Sequence, residues 1–220
     1  MKIDRESHID IILKKIISIS PVQSLMKIFS FIRLSGADKE RLLKFKHVME
    51  RPLGNCSKGN VLVFGVVGLD LITQQSVVIK SYDKAGYNPV IICDWRSMAI
   101  YKALGVRDFI NLNRYLPISR VKMASSIIHS FSCQDELKEY FYGKINCGKY
   151  TLSTVMRKTR KGHISFNNNE NIDKMITCLD RSLRNATAAL KVLKVVSPKA
   201  LLCLDRGYSP EGEFFDACIE

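Results

Sequence analysis

The spacing of apolar residues along this chain changes near residue 60, and the change separates two kinds of structure. From His8 to Leu34 they recur at Ile9, Ile12, Leu13 and Ile16, then at Val22, Leu25, Met26, Phe29 and Ile32. That is the period of an amphipathic helix, interrupted at Pro21. A short helix is expected over Asp38 to Met49, leading to the loop Arg51 to Asn60. Val61-Leu-Val-Phe-Gly-Val-Val67 is instead continuous, apolar and β-branched, as a buried strand is. A helix from about Leu71 to Ala85, a strand Val90 to Cys93, a helix Arg96 to Leu104 and a short strand Val106 to Leu112 follow. Gly105 stands where a left-handed residue ends a helix. Strands that are apolar throughout and alternate with helices describe a parallel sheet covered on both faces.

Helices are expected over Pro117 to His129 and Gln134 to Tyr142, while Gly143, Gly148 and Gly162 predict loops or weak strands between them and the polar connector Asn167 to Asn171. A long helix, Ile172 to Val196, carries Ile176, Leu179, Leu183, Ala186, Leu190 and Leu193 at helical spacing and stops before Pro198. It delivers the chain to a strand over Ala200 to Leu204, a turn, and a helix beginning near Pro210. The expected organisation is therefore a basic amphipathic helical region over 1–59 and a domain over 60–220. The expected class is α/β, a Rossmann-like parallel sheet with helices on both faces, preceded by N-terminal amphipathic helices. Phe214, Phe215 and Ile219 have no later element to pack against and no helix-ending signal follows them, so the chain reads as the first half of a larger protein, with Phe214 and Phe215 exposed.

At 220 residues and 46% hydrophobic the chain can bury a real core, which excludes wholesale disorder. Its formal charge of +13 points to phosphates, anionic lipid or nucleic acid as partners without choosing among them. The cations are dispersed: Lys14, Lys15, Lys27 and Arg33, then Arg157 to Lys161, then Arg181, Arg184, Lys191 and Lys194. The dense run Arg157 to Lys161 has no interleaved aromatic residue, which makes nucleic acid an unlikely partner. Residues 8–34 admit two readings, docking on an anionic membrane surface or packing on the domain. Seven cysteines lie far apart, with no C-x-x-C pair and no zinc-ligand spacing to a histidine, so no metal is expected. Without an export signal or an apolar run of roughly 18 residues, the expected location is cytoplasmic, peripheral at the inner face of the membrane if 8–34 binds it.

The turn after the first strand, Phe64-Gly-Val-Val-Gly68-Leu-Asp70, allows close backbone approach to a ligand at Gly65 and Gly68, or serves only as a strand-to-helix turn. It is neither the dinucleotide fingerprint nor a phosphate loop, and no cofactor is expected. Asp94 matches an acid that holds a ribose, a methyltransferase-like alternative, or a helix cap, and the cap is favoured. Asp205-Arg-Gly-Tyr-Ser-Pro-Glu-Gly212 places an acid at the carboxyl end of a strand, where open α/β sheets bind ligands. Asp205 suits a general base toward a hydroxyl, and equally a residue of a helix start with Pro210 in its first turn.

The strand and turn Val61 to Gly68, the segment Ala85-Gly-Tyr-Asn-Pro-Val-Ile-Ile-Cys93, and the strand followed by Asp205-Arg-Gly-Tyr-Ser-Pro-Glu-Gly-Glu-Phe-Phe-Asp-Ala-Cys-Ile219 together resemble the N-terminal half of bacterial GT-B glycosyltransferases of surface and capsular polysaccharide synthesis. The resemblance implies an acceptor-binding half for a glycan or lipid-linked acceptor. A nucleotide sugar would be bound only if a second, similar domain exists, and no metal would be needed. It assigns Asp205 as the acceptor-side base and Gly65, Gly68, Arg206, Tyr208 and Gly212 as the substrate-binding edge. The competing function is a non-enzymatic basic module for anionic membrane or nucleic acid.

Overall fold

The computed structural model describes residues 35–48 and 57–219, so the expected amphipathic helices over 8–34 and their membrane role lie outside the described residues. Helix α1 spans Gly36–Val48, close to the expected helix. The Ser35 hydroxyl accepts the Asp38 N–H at 3.1 Å and donates to the Asp38 carboxylate at 2.7 Å, a reciprocal arrangement that satisfies a free helix-start amide. Strand β1 (Asn60–Phe64), helix α2 (Leu69–Lys84), strand β2 (Asn88–Ile92), helix α3 (Trp95–Ala103) and strand β3 (Asp108–Ile110) follow in the predicted alternation.

Four parallel strands form one sheet in the order β3-β2-β1-β4, with β4 over Ala200–Leu202. The chain is an α/β protein with a Rossmann-like parallel sheet flanked by helices. Leu62 stands opposite Val90 and Leu201, and Val63 opposite Ile91 and Leu202. Side chains on both faces of the central strands are buried: Val61, Val63 and Ile91 pack with Leu42, Ile72, Ile79 and Tyr101, while Leu62, Phe64, Val90 and Ile92 are buried on the opposite side. Burial on both faces is why these strands are apolar without alternation.

The strand ends are earlier than the apolar runs suggest. β1 ends just after Phe64: the Gly65 N–H makes a last bond across to the Ile92 carbonyl of β2 at 2.7 Å, and the Val66 N–H leaves the ladder and donates to the Tyr101 hydroxyl at 2.8 Å. The Tyr101 hydroxyl in turn donates to Gln75 Oε1, and Gln75 Nε2 donates to the Phe64 carbonyl at 2.8 Å. One buried tyrosine and one buried glutamine thus satisfy the backbone where the sheet gives way to α2. Burial raises the Tyr101 phenol well above its ordinary range, so it remains a donor at any working pH.

The described residues fall into two compact units, a sheet unit closing at Arg114 and including Pro198–Leu202, and a helical unit of Tyr115–Ser197 and Cys203–Glu220. The helical unit contains α4 (Val121–His129), α5 (Gln134–Lys138), α6 (Cys147–Thr159), α7 (Asn169–Val196) and α8 (Glu211–Cys218). Helix α4 begins four residues later than expected because the backbone before it is held by α7. Arg184 Nε donates to the Pro117 carbonyl at 3.0 Å, and the Arg120 N–H donates to the Asp180 carboxylate. Helix α5 ends at Lys138, short of Tyr142, where Tyr142 and Ile145 pair across Gly143 at φ +63°.

Helix α6 corrects the expectation of loops or weak strands after Gly143. Asn146 caps it by accepting the Lys149 N–H at 2.8 Å. Gly148 belongs to its first turn, and a Cβ there would lie 1.7 Å from the Leu137 carbonyl oxygen. The glycine that argues against a helix locally is required by the approach of α5. The polar connector likewise ends in a cap: Asn168 accepts the Asn171 N–H at 3.0 Å and starts α7 three residues early. Tyr101→Phe should leave the Val66 amide and Gln75 carbonyl oxygen unpaired and cost roughly 1–3 kcal/mol in urea unfolding, with an unchanged m value.

Candidate functional site

The segment leaving β4 is organised by carboxylates. β4 ends at Leu202, and Glu211 Oε2 accepts the N–H groups of Leu204 at 2.8 Å and Asp205 at 2.9 Å, which removes both from any further ladder. Asp205 Oδ1 accepts the Gly207 N–H at 2.8 Å, closing a turn that leaves the Asp205 side chain exposed. The Arg206 guanidinium stacks 5.2 Å from the Phe215 ring centroid, and Arg157 from α6 stacks 4.7 Å from that of Tyr208. Cation and ring hold each other in place there, and the guanidinium edges remain able to meet an anion.

Helix α8 packs on α6 and α7 through a close approach at Gly212. A Cβ at this position would come within 2.2 Å of the Tyr150 ring. The Tyr150 hydroxyl donates to Asp216 Oδ1 at 2.7 Å, and the Asn146 N–H donates to Asp216 Oδ2 at 3.0 Å. Burial, and then the Asp216 charge it faces, raise the Tyr150 phenol far above its ordinary value. Phe214 is fully buried and Phe215 half-buried beneath Arg206, contrary to the expected exposure of both; only Ile219 of the three remains open, at 69%. The α6 and α7 surfaces supply what the sequence did not show following the aromatic pair.

Glu213 lies on the buried side of α8 with 0% exposure. Neither carboxylate oxygen has an aligned hydrogen-bond partner among the described residues. Loss of hydration pushes the carboxyl from its ordinary 4.5 up to about 7; the Ser182 and Ser209 hydroxyls and its own helix-start amide pull the other way, and the Asp216 charge adds to the rise. Ser209 is itself fixed by Asn185 Nδ2 at 2.8 Å. On the facing turn of α6, burial pushes the Cys147 thiol up to about 12, which keeps it neutral. At zero exposure Glu213 meets no ligand directly.

The candidate residues therefore divide between the units. Gly65 and Gly68 belong to the sheet unit, and Asp205, Arg206, Tyr208 and Gly212 to the helical unit. A Cβ at Gly65 would meet Cys93 Cβ at 2.9 Å and the Ile92 carbonyl oxygen at 3.0 Å, so its missing side chain faces β2. Gly68 has φ +96°, which favours glycine, and open space around it at the start of α2. Asp94 is the cap of α3, accepting the Ser97 N–H at 2.7 Å. Glu211, Glu213, Asp216 and Tyr150 escaped the sequence reading. The crowding of three acids into one turn and a half of helix, Glu211 to Asp216, was the available signal.

Among the described residues no three His, Cys, Asp or Glu side chains converge as metal ligands. None of the described helices is long and apolar enough to cross a membrane. No protein-family model, curated protein or solved structure matches this chain.

Since Glu213 has a folded pKa above its unfolded one, the stability it permits is complete below about 4.5 and is lost as pH rises through about 7. Urea unfolding of the wild type should lose up to about 3 kcal/mol between about pH 4 and 8.5 from this group. Glu213→Gln should match the wild type at the acid end and exceed it at the alkaline end. An unchanged pH slope in the variant would mean that Glu213 finds a partner when ionised. Gly212→Ala should destabilise the helical unit at every pH, because the ring of Tyr150 occupies the space the methyl group needs.

Proposed function

We propose that this chain is the acceptor-binding half of a glycosyltransferase that moves a sugar from a nucleotide-sugar donor to a glycan or lipid-linked acceptor in surface polysaccharide synthesis. The observation that carries the reading is the segment leaving β4. It follows the carboxyl end of a strand in a parallel sheet, the edge where such sheets bind ligands. Its backbone is braced by Glu211, which frees Asp205 as an exposed carboxylate. Arg206 and Tyr208, which follow it in the chain, are each held in a cation–ring stack, Arg206 on Phe215 and Tyr208 under Arg157.

In this reading the acceptor hydroxyl oxygen attacks the anomeric carbon of the donor, its proton passes to Asp205, and the bond from that carbon to the nucleotide diphosphate breaks as the nucleotide leaves. Arg206 meets acceptor anions. A nucleotide-sugar donor would be bound only by a second, similar domain, and the residues of this chain account for the acceptor side alone. The dispersed cations fit an acceptor carried on an anionic surface, and placement at the inner face of a membrane belongs to the same proposal.

An acceptor half binds acceptor glycans and leaves nucleotide sugars alone. Calorimetric titration should therefore give heat with lipid-linked or free oligosaccharide acceptors and none with a panel of nucleotide sugars. With a donor domain present, Asp205→Asn should lower kcat by about 10²–10⁴ at an unchanged thermal midpoint and a nearly unchanged acceptor KM. Nearly unchanged turnover removes Asp205 as the base. Saturable nucleotide-sugar binding by this chain overturns the division of labour. Tight oligonucleotide binding with a steep salt slope replaces the transferase reading with a basic binding module.

A further inference from the structure

A cavity of about 370 Å³ opens in the helical unit between the turn before α6 and the end of α8, lined by Phe141, Lys144, Asn146, Lys149, Asp216 and Ile219. Its lining combines polar and apolar side chains. Asp216 accepts one hydrogen bond on each oxygen, from Tyr150 and from the Asn146 backbone. A carboxylate offers about four acceptor positions, so about two stay open on a side chain already locked in place. Asn146 uses its carbonyl oxygen to cap α6, and its side-chain N–H pair has no partner among the described residues. Lys149 leans over the Tyr150 ring, with its nitrogen 5.7 Å from the centroid and no carboxylate paired to it among the described residues. Two apolar side chains of the lining are open, Phe141 49% exposed and Ile219 69% exposed.

A fixed acceptor, a fixed donor pair and lysine ammonium groups lining the same cavity as an open aromatic ring match a molecule that has hydroxyl groups along its edge and C–H bonds on its face. A pyranose ring has both. Adjacent ring hydroxyls donate to Asp216 and accept from Asn146 and Lys149, and the C–H face covers Phe141 as apolar surface covers any aromatic ring. A simple anion would meet Lys144 and Lys149 but also face the Asp216 carboxylate, and it would leave the Phe141 ring uncovered. A purely apolar ligand would strip water from Asp216 and Asn146 without replacing it.

We infer that this cavity is a saccharide subsite of the helical unit, separate from the Asp205 loop. The inference goes beyond the proposed transfer reaction and does not need it, since a chain that transfers nothing can still bind a sugar here.

The test is ligand-observed saturation-transfer NMR on the full chain, with a neutral hexose, an N-acetylhexosamine and a hexuronate, and inorganic phosphate as competitor. At least one saccharide should receive saturation through its C–H face and shift the backbone amides of 141–149 and 216–219. Phe141→Ala should weaken that binding by about ten-fold without moving the thermal midpoint, since the ring is half exposed. Lys149→Ala should weaken it less. Asp205→Asn should bind as the wild type does, whatever it does to transfer, so failure of the transfer reading and failure of this one are told apart. Absence of saturation for every saccharide, undiminished binding in Phe141→Ala, or complete displacement by phosphate would each overturn the subsite.

Discussion

The seating of Tyr150 between Gly212 and Asp216 is the contact on which the helical unit depends. The ring occupies the space a side chain at Gly212 would fill, and the hydroxyl reaches across to the Asp216 carboxylate. With that approach made, α8 lies close enough to bury Phe214 and Glu213 completely. Asp216 is thereby fixed in the lining of the cavity, and the loop before α8 is short enough for Glu211 to take its two leading amides. A wider spacing would undo all of these together.

Four acids within twelve residues consequently have four different chemistries. Glu211 is a scaffold, one oxygen of which takes two backbone amides. Glu213 is dehydrated and lacks an aligned partner, so its charge is in conflict with the packing that surrounds it. Asp216 is a junction between α6 and α8 that keeps spare acceptor capacity toward solvent. Asp205 is held by one amide of its own turn and faces outward. Side-chain type and sequence separation do not distinguish them; burial and the direction of nearby N–H groups do.

The sheet unit shows the same dependence on a few buried polar contacts. Its apolar strands would pack in many registers, and the Tyr101–Gln75 pair selects where β1 stops by satisfying the carbonyl of Phe64 and the amide of Val66. The backbone that a carboxyl-edge site would use is therefore rigid at its start. A buried tyrosine and glutamine are affordable there because each of their polar atoms in this network meets a backbone or side-chain partner.

Local pattern was sufficient for the parallel α/β class, the alternation through β3, the cap at Asp94 and the left-handed glycine at 105, because each follows from the chain's own periodicity or from a side chain reaching a backbone amide three residues away. The loop carrying Asp205 was legible as a candidate for the same reason, as an acid after an apolar strand. Helix α6, the early end of β4, the burial of Phe214, the isolation of Glu213 and the cavity beside Asp216 were not legible. Each depends on tertiary contacts, or on a side chain several residues away folding back onto the backbone, and not on the local period. Gly148 shows the difference most plainly: its propensity argues against a helix, and only the carbonyl of Leu137 lying against it makes glycine the residue that lets the helix form.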